Sequence, residues 1–464
     1  MTESPVTTLL ILGASGDLTS RLLLPGLGSL MAVEPERKVR VVGADRSDLS
    51  DHDWHHKIRT ALEAGEVPTE RIDALLTTAE YVKADLLEPD QLASLVADQD
   101  GPLVLYFALP PQVSVKLCAL LESIDLPPGT RLALEKPFGH DLDAARALNA
   151  QLLRVVPEEQ IHRVDHFLGV NTVLNLIGMR FANRLLQPIW SADHIDSVEI
   201  TYDETLALEG RAGYYDKAGA LVDMLQSHLL QILALFAMEA PSTLTSVEVQ
   251  ALKAQTLRAT KVWQDDPTTG SRRARYTEGQ LDGRNVPDYA SEDGVDPTLE
   301  TETLAEVRLA VENARWGGVP FTLRSGKALG DLSKRIVVYF KPPAHVPRGL
   351  RDVPEPDRLI LDLKPGAVTL ELSMNAEGDP FDLEQKELTA ELGKARMLPY
   401  GEVLAGIFDG DPLLSIRGDV AEECWRIMTP VLASWRKGEV ALDTYPAGSA
   451  GPARWDTGEA TTTD

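Results

Sequence analysis

Thr7-Thr8-Leu9-Leu10-Ile11-Leu12-Gly13-Ala14-Ser15-Gly16-Asp17-Leu18 passes from an apolar strand through a tight glycine turn into a helix expected over residues 18–30. Glycine lets a ligand or a second backbone come close, and the free amides and positive end of the following helix attract a pyrophosphate. The stretch therefore outlines a dinucleotide site at the head of a strand-helix-strand unit. Its spacing falls short of the full G-x-G-x-x-G, so alone it suits a structural turn as well.

Reading outward, the next strand, 38–42, runs into Gly43-Ala44-Asp45-Arg46-Ser47. A guanidinium there suits the 2′-phosphate of NADP, Asp45 could instead accept from the ribose hydroxyl of NAD, and Arg46 could equally be a solvated surface residue. Two more apolar runs follow. Residues 103–108 lead into Leu109-Pro110-Pro111, and 131–134 lead into Glu135-Lys136-Pro137-Phe138-Gly139. Both read as buried parallel strands whose carboxyl ends meet the crevice where such sheets bind ligands.

The chain has 464 residues, 44% of them apolar, which allows two or three domains with sizeable cores. A formal net charge of -26 sets the whole field against polyanions, so neither nucleic acid nor an anionic membrane is an expected partner. An anionic substrate would need a local group of cations. The first ten residues lack the basic start and cleavage site of a secretory leader, and a cytoplasmic location is expected. Cys118 and Cys424 lie far apart without ligand spacing, so buried free thiols and no metal site are expected.

Alternating strands are expected over 195–201, 335–340 and parts of 359–374, and an apolar helix over 220–238, carrying Leu221, Met224, Leu225, Leu229, Ile232, Leu233 and Phe236 on one stripe. Residues 265–296, rich in Gly, Pro, Asp and Arg, read as a long surface excursion, and 458–464 as a frayed tail.

Several segments, in order and spacing, make the chain resemble the glucose-6-phosphate dehydrogenase family. They are Gly13-Ala14-Ser15-Gly16-Asp17-Leu18, Ala108-Leu109-Pro110-Pro111, Glu135-Lys136-Pro137-Phe138-Gly139, Arg163-Val164-Asp165-His166-Phe167-Leu168-Gly169, and Glu209-Gly210-Arg211-Ala212-Gly213-Tyr214-Tyr215. The match continues through His228-Leu229-Leu230-Gln231, Trp316-Gly317-Gly318-Val319-Pro320-Phe321, Arg324-Ser325-Gly326-Lys327 and Tyr445-Pro446-Ala447-Gly448-Ser449. The resemblance implies an α/β Rossmann domain, placed at 1–175, followed by a larger α+β domain with a mainly antiparallel sheet, placed at 176–464, which binds substrate and pairs subunits into a homodimer or homotetramer.

It also implies a reaction: hydride leaves C1 of a hexose for NADP, with NAD as the alternative coenzyme, and a lactone remains. The C1 hydroxyl must lose a proton, and a neutral histidine oriented by a carboxylate is the natural base. By resemblance His228 is that base and Asp165 its partner. Lys136 meets both sugar and coenzyme, His166 contacts a substrate phosphate, and Glu204, Asp223 and Lys327 hold the sugar. Gly13, Ser15, Gly16, Asp17, Leu18, Arg46 and Pro110 cradle the coenzyme. Taken singly, His228 reads as a core histidine, Lys136 as a surface lysine, and Asp223 and Glu204 as exposed carboxylates. Only the set points to catalysis; the alternative is a non-catalytic relative that keeps the fold and the coenzyme loop.

Four positions depart from the family pattern. Phe167 stands for a tyrosine, Val170 for a lysine, Leu22 for a basic residue and Leu332 for a further lysine, with Lys334 two positions on. Each charge-assisted hydrogen bond contributes roughly 1.5 to 3 kcal/mol, and a phosphate dianion is costly to desolvate without such donors. The losses lead to the expectation of a pocket that holds glucose 6-phosphate poorly, or prefers a differently substituted aldose, unless Lys334 compensates.

Overall fold

Strand β1, Thr7–Leu12, is buried at every residue, as its apolar run requires, and its neighbours on both sides are parallel. The computed structural model describes residues 6–99, 101–210 and 212–455; Arg211 of the family-like segment, the first five residues and the 458–464 tail lie outside the described residues. The chain forms two units. One comprises residues 6–174 with Pro241–Leu252 and Lys394–Glu422; the other comprises Asn175–Ala240, Lys253–Gly393 and 423–455.

In the first unit, β2 (Val39–Asp45), β3 (Glu80–Lys83), β4 (Leu103–Phe107), β5 (Arg131–Glu135) and β6 (Ile161–Val164) join β1 in the order β6-β5-β4-β1-β2-β3, all parallel. Ser415–Ile416 pairs antiparallel with β6 at the edge. The chain builds outward from β1 in one direction and then returns to its other side at β4, so the carboxyl ends of β1 and β4 flank the switch point where such sheets take ligands. Leu9, Ile11, Val41, Val104 and Tyr106 pack with Leu24, Leu27 and Leu30 of the helix Leu24–Val33. The helix Pro399–Asp409 crosses that helix at glycine: a Cβ on Gly26 would lie 2.4 Å from the Cβ of Tyr400.

The second unit is built on a ten-stranded sheet. Its order is Leu383–Glu391, Gly366–Asn375, Arg358–Leu363, Lys334–Phe340, Ile195–Asp203, Pro320–Gly326, Leu304–Val311, Ser271–Thr277 and Leu442–Pro446, with Thr260–Val262 also beside Leu304–Val311. Only Ile195–Asp203 with Pro320–Gly326, and Ser271–Thr277 with Leu442–Pro446, are parallel pairs among these. The expected strands and the buried free thiols are all present.

One expectation fails. Residues 265–296 are not a long excursion, because Ser271–Thr277 enters the main sheet and Gly279–Leu281 pairs with Arg284–Val286 as a hairpin. Arginines in Ser271-Arg272-Arg273-Ala274-Arg275-Tyr276 disguise a strand that is half core. Arg273 is only 6% exposed, donates to the carbonyl of Val440 and lies over the ring of Trp435. A guanidinium so placed is packed by its stem and satisfied at its head.

The expected apolar helix consists of Leu221–Leu229, wound as a π-helix, and Leu230–Ala237, wound as an α-helix. Among the described residues, Ala212–Ala237 is the one helical run long and apolar enough to cross a membrane, and 83% of its most apolar window is buried inside the protein.

Glu135 closes the carboxyl end of β5. Its Oε1 accepts from the Tyr106 hydroxyl of β4 at 2.5 Å and from the Tyr400 hydroxyl of the helix Pro399–Asp409 at 3.1 Å. Burial pushes its carboxyl up to about 7, against the two hydroxyls and the Lys136 ammonium, which favour the charged form. Between its ordinary value of 4.5 and about 7, the folded chain keeps a proton that the unfolded chain has released. The stability from this group is thus complete below pH 4.5 and is lost as pH rises through about 7; the shift corresponds to on the order of 3 kcal/mol. Glu135→Gln, which mimics the protonated carboxyl, should make the fall in melting temperature between pH 4.5 and 7 shallower than in the parent. Equal slopes in the two proteins would count against a raised Glu135.

Candidate active site

The glycine turn is held by its surroundings. Gly13 has φ +91°, and a Cβ there would sit 2.3 Å from the carbonyl oxygen of Ala108, the residue that follows β4. No other residue type fits both conditions. Asp45, at the end of β2, faces the turn: its Oδ2 accepts from the Ser15 hydroxyl at 2.5 Å and amide at 3.3 Å, and its Oδ1 from the Arg46 amide at 2.6 Å. Both oxygens of Asp45 are directed at its own chain, while the Arg46 side chain is exposed. Lys57 donates to the Ser15 carbonyl at 3.2 Å. Asp17 is exposed and pairs with Arg21 at 3.1 Å, Leu18 packs half-buried on the core, and Pro110 caps the helix Pro111–Leu121. The turn, the exposed guanidinium and the helix that follows can accommodate a dinucleotide with a 2′-phosphate. The helix opens with a π-wound turn, Thr19–Leu23, which places Leu22 43% exposed.

The carboxyl ends of β5 and β6 supply the next group. Lys136, half-buried, follows Glu135 directly. Asp165 is 1% exposed and its Oδ1 accepts from the Phe167 amide at 3.0 Å, which caps the single turn His166–Gly169. His166 stacks on the Tyr400 ring, 5.6 Å between centroids and 15° between planes, and meets Phe167 edge-on at 5.0 Å. The turn is pressed against the helix Pro399–Asp409, since a Cβ on Gly169 would lie 2.3 Å from the Pro399 carbonyl oxygen. Lys136, Asp165 and His166 therefore belong to the same unit, with Tyr400 and Glu135 as supports that the sequence did not single out. Phe167 is buried and Val170 half-buried, and neither side chain carries a polar donor.

In the second unit Glu204 and Lys327 come together. Lys327 donates to Oε2 of Glu204 at 2.8 Å, and its ammonium lies 5.2 Å from the centroid of the Tyr215 ring. Lys334 also reaches Glu204, 3.5 Å from Oε1, with its ammonium 4.2 Å over the ring of Tyr202. Burial alone would raise the Glu204 carboxyl; the two ammoniums outweigh it and hold it below the usual carboxylate range. Leu332 is 50% exposed on the preceding loop, whereas Lys334 opens the strand Lys334–Phe340 opposite Tyr202. A cation thus stands two residues after position 332, beside the carboxylate that the resemblance assigns to the sugar.

Asp223 and His228 stand on the same π-wound segment. In an α-helix of 3.6 residues per turn, residues five apart point about 140° away from each other. Winding by i→i+5 bonds brings them onto one face instead. His228 is 1% exposed, Asp223 half-buried. The start of the segment is fixed by Glu302, whose Oε1 accepts from the Leu221 amide at 2.9 Å. Gly219, φ +65°, gives the carboxylate its room: a Cβ there would lie 2.2 Å from Glu302 Oε1. Burial raises the Glu302 carboxyl to about 7 although the Leu221 amide favours its charged form. Neither the π winding nor the cap has a local sequence signal; Gly219 alone, a glycine just ahead of an apolar helix, hints at the bend. Asp165 belongs to the first unit and His228 to the second.

Known proteins divide in the same order. The family described as "Glucose-6-phosphate dehydrogenase, NAD binding domain" matches residues 10–175, and "Glucose-6-phosphate dehydrogenase, C-terminal domain" matches 177–462. The chain is similar to the glucose-6-phosphate 1-dehydrogenase of Gluconobacter oxydans, 39% identical over 95% of this chain and 94% of the relative. It is also similar to that of Mycolicibacterium smegmatis, 35% identical over 97% and 96%. Among solved structures, the enzyme from Mycobacterium avium superposes with a TM-score of 0.83 at 33% identity, covering 97% and 96% of the two chains. A glucose-6-phosphate dehydrogenase in complex with its substrate glucose-6-phosphate superposes at 0.87 with 27% identity, covering 98% of each. A glycine turn on a parallel sheet, a larger mainly antiparallel domain after it and matches to both along nearly the whole length agree: the chain belongs to the glucose-6-phosphate dehydrogenase family.

Proposed function

We propose that this protein oxidises C1 of a hexose, with glucose 6-phosphate the first candidate, and passes the hydride to NADP, leaving a 1,5-lactone. The observation that carries this reading is the end-to-end likeness to a glucose-6-phosphate dehydrogenase solved with glucose 6-phosphate, in a chain that keeps His228, Asp165 and Lys136. A non-catalytic relative is not favoured, because nothing in that role calls for a buried imidazole and an acid on one helical face.

In the proposed arrangement residues 1–175 hold the coenzyme, and residues 176–464 hold the sugar and pair subunits. Gly13, Ser15, Gly16, Asp17, Leu18 and Pro110 line the pyrophosphate cradle, and Arg46 reads the 2′-phosphate. Bound NADP would supply the hydride acceptor. His228 takes the proton from the C1 hydroxyl, Asp165 orients the imidazole and stabilises its charged form, and Asp223, Glu204 and Lys327 fix the sugar hydroxyls. Lys136 bridges sugar and coenzyme, and His166, held flat by Tyr400, meets the substituent at C6. A cytoplasmic homodimer or homotetramer is the assembly this reading carries, supported by the family resemblance.

Reduction of NADP and NAD against free and phosphorylated aldoses tests the proposal directly. His228→Asn should lower turnover by about 10² to 10⁴-fold with coenzyme affinity nearly intact, and Asp165→Asn should act in the same direction. Either variant turning over at the parent rate would remove the dyad. For the coenzyme, Arg46→Ala should weaken NADP far more than NAD in a fluorescence titration, because only NADP offers the fork of the guanidinium a phosphate. Equal weakening of the two would assign Arg46 elsewhere.

A further inference from the structure

His228 and Asp223 share a face only if the segment that carries them starts in the right phase, and the helix before it does not set that phase. The run Ala212–Ala220 is interrupted at Gly219, whose φ +65° and ψ 176° lie outside helical values. In a continuous α-helix the next two amides, of Ala220 and Leu221, would donate to carbonyls four residues back. Here both donate to one residue of another element: Ala220 to the Glu302 carbonyl at 3.2 Å and Leu221 to Glu302 Oε1 at 2.9 Å. Glu302 thus satisfies two of the free amides of a helix start, one with its main chain and one with its side chain. From Leu221 the chain winds as a π-helix to Leu229, and the Ser227 hydroxyl, next to His228, donates to the Asp223 carbonyl at 2.7 Å.

Glu302 is itself held from several sides. The Thr301 hydroxyl donates to the Asp216 carbonyl of the preceding helix at 2.5 Å. The Thr303 amide donates to the Ala274 carbonyl at 2.8 Å, and the Thr303 carbonyl accepts from the Lys327 amide at 2.9 Å, so two strands of the large sheet fix the other flank. Thr301-Glu302-Thr303 therefore carries the position of the sheet to the first turn of the segment. Leu221 is fully buried, and without the carboxyl its amide would be a buried donor short of an acceptor, which is costly. The other way to satisfy it is α winding from the Lys217 carbonyl, which turns Asp223 and His228 apart again. We infer that Glu302 is a positioning residue for the oxidation, acting through the first turn of the π-wound segment on the direction of the His228 imidazole and the Asp223 carboxylate. The inference rests on the dehydrogenase reading above and adds to it the residue that aims the base.

The test uses the whole protein with three substitutions. E302A removes the side-chain acceptor, E302D keeps the charge but draws the oxygens back by one methylene, and E302Q is a neutral isostere that keeps an oxygen for the Leu221 amide. E302A and E302D should lower kcat about 10²-fold, the order of loss when a reacting group is displaced by about 1 Å, with the Kd of NADP unchanged. E302Q should retain most of the parent rate. The pH profile separates positioning from a loss of stability. The parent rate should level off once the imidazole is neutral, whereas E302A should keep climbing with pH, because hydroxide must take the proton that a misdirected base does not. A parent-like kcat in folded E302A or E302D overturns the inference, as does an E302Q no better than E302A; E302D decides the matter where E302A does not fold. NMR of histidine-labelled protein, with the His228 signal assigned from H228N, gives an answer that needs no turnover. A His228 signal that moves in E302A and E302D and stays in place in E302Q supports the positioning, and one that stays in place in all three overturns it. Should the parent protein oxidise no aldose, the dehydrogenase reading fails by itself, and the NMR result still decides what Glu302 does.

Discussion

A buried carboxylate shared by three elements governs the first unit. Glu135 ends β5, takes a hydroxyl from β4 through Tyr106 and another from the helix Pro399–Asp409 through Tyr400. With all three in place the carboxyl is satisfied; with any one removed it is a buried polar group short of a partner, which costs about 1–3 kcal/mol. The consequences run outward. Tyr400, fixed by its hydroxyl, presents its ring to His166, and the residue after Glu135 is Lys136. Two side chains assigned to substrate therefore take their positions from one carboxylate.

The second unit uses a carboxylate in another way. Glu302 meets the first amide of the Leu221–Leu229 segment, where the exposed N–H groups of a helix start favour negative charge. Gly219 is needed because any Cβ would occupy the carboxylate's place. The wide winding that follows is rare in proteins and concentrates at functional sites, since it gives up the tighter α geometry for a change in which residues face together. Here the change turns Asp223 and His228 to one side.

Charge accounts for the placement of the lysines. A strongly acidic chain that accepts an anion must gather cations where the anion goes, and burial strengthens each of them by lowering the local dielectric. Lys327 and Lys334 both pair with Glu204, which keeps the two ammoniums from repelling each other.

Much of the architecture was legible in the chain itself. The run from Thr7 to Leu12, the glycine turn and the alternating strands of the second unit follow from local periodicity and from backbone positions that only glycine adopts, which are properties of neighbouring residues. The catalytic and binding candidates were legible too, but through resemblance, since a lone histidine in an apolar helix says little. Three things required the tertiary structure. The strand Ser271–Thr277 was hidden because its arginines read as surface residues, whereas Arg273 is satisfied by Val440 and Trp435, distant in sequence. Tyr400 joins the first unit because Gly26 leaves space at a helix crossing, a fact of packing that the sequence near either residue does not express. Lys334 lies beside Glu204 because strand register, set by cross-strand hydrogen bonds and the alternation of the two faces, puts it there. Local chemistry is written along the chain; which distant groups satisfy one another is decided only when the chain closes on itself.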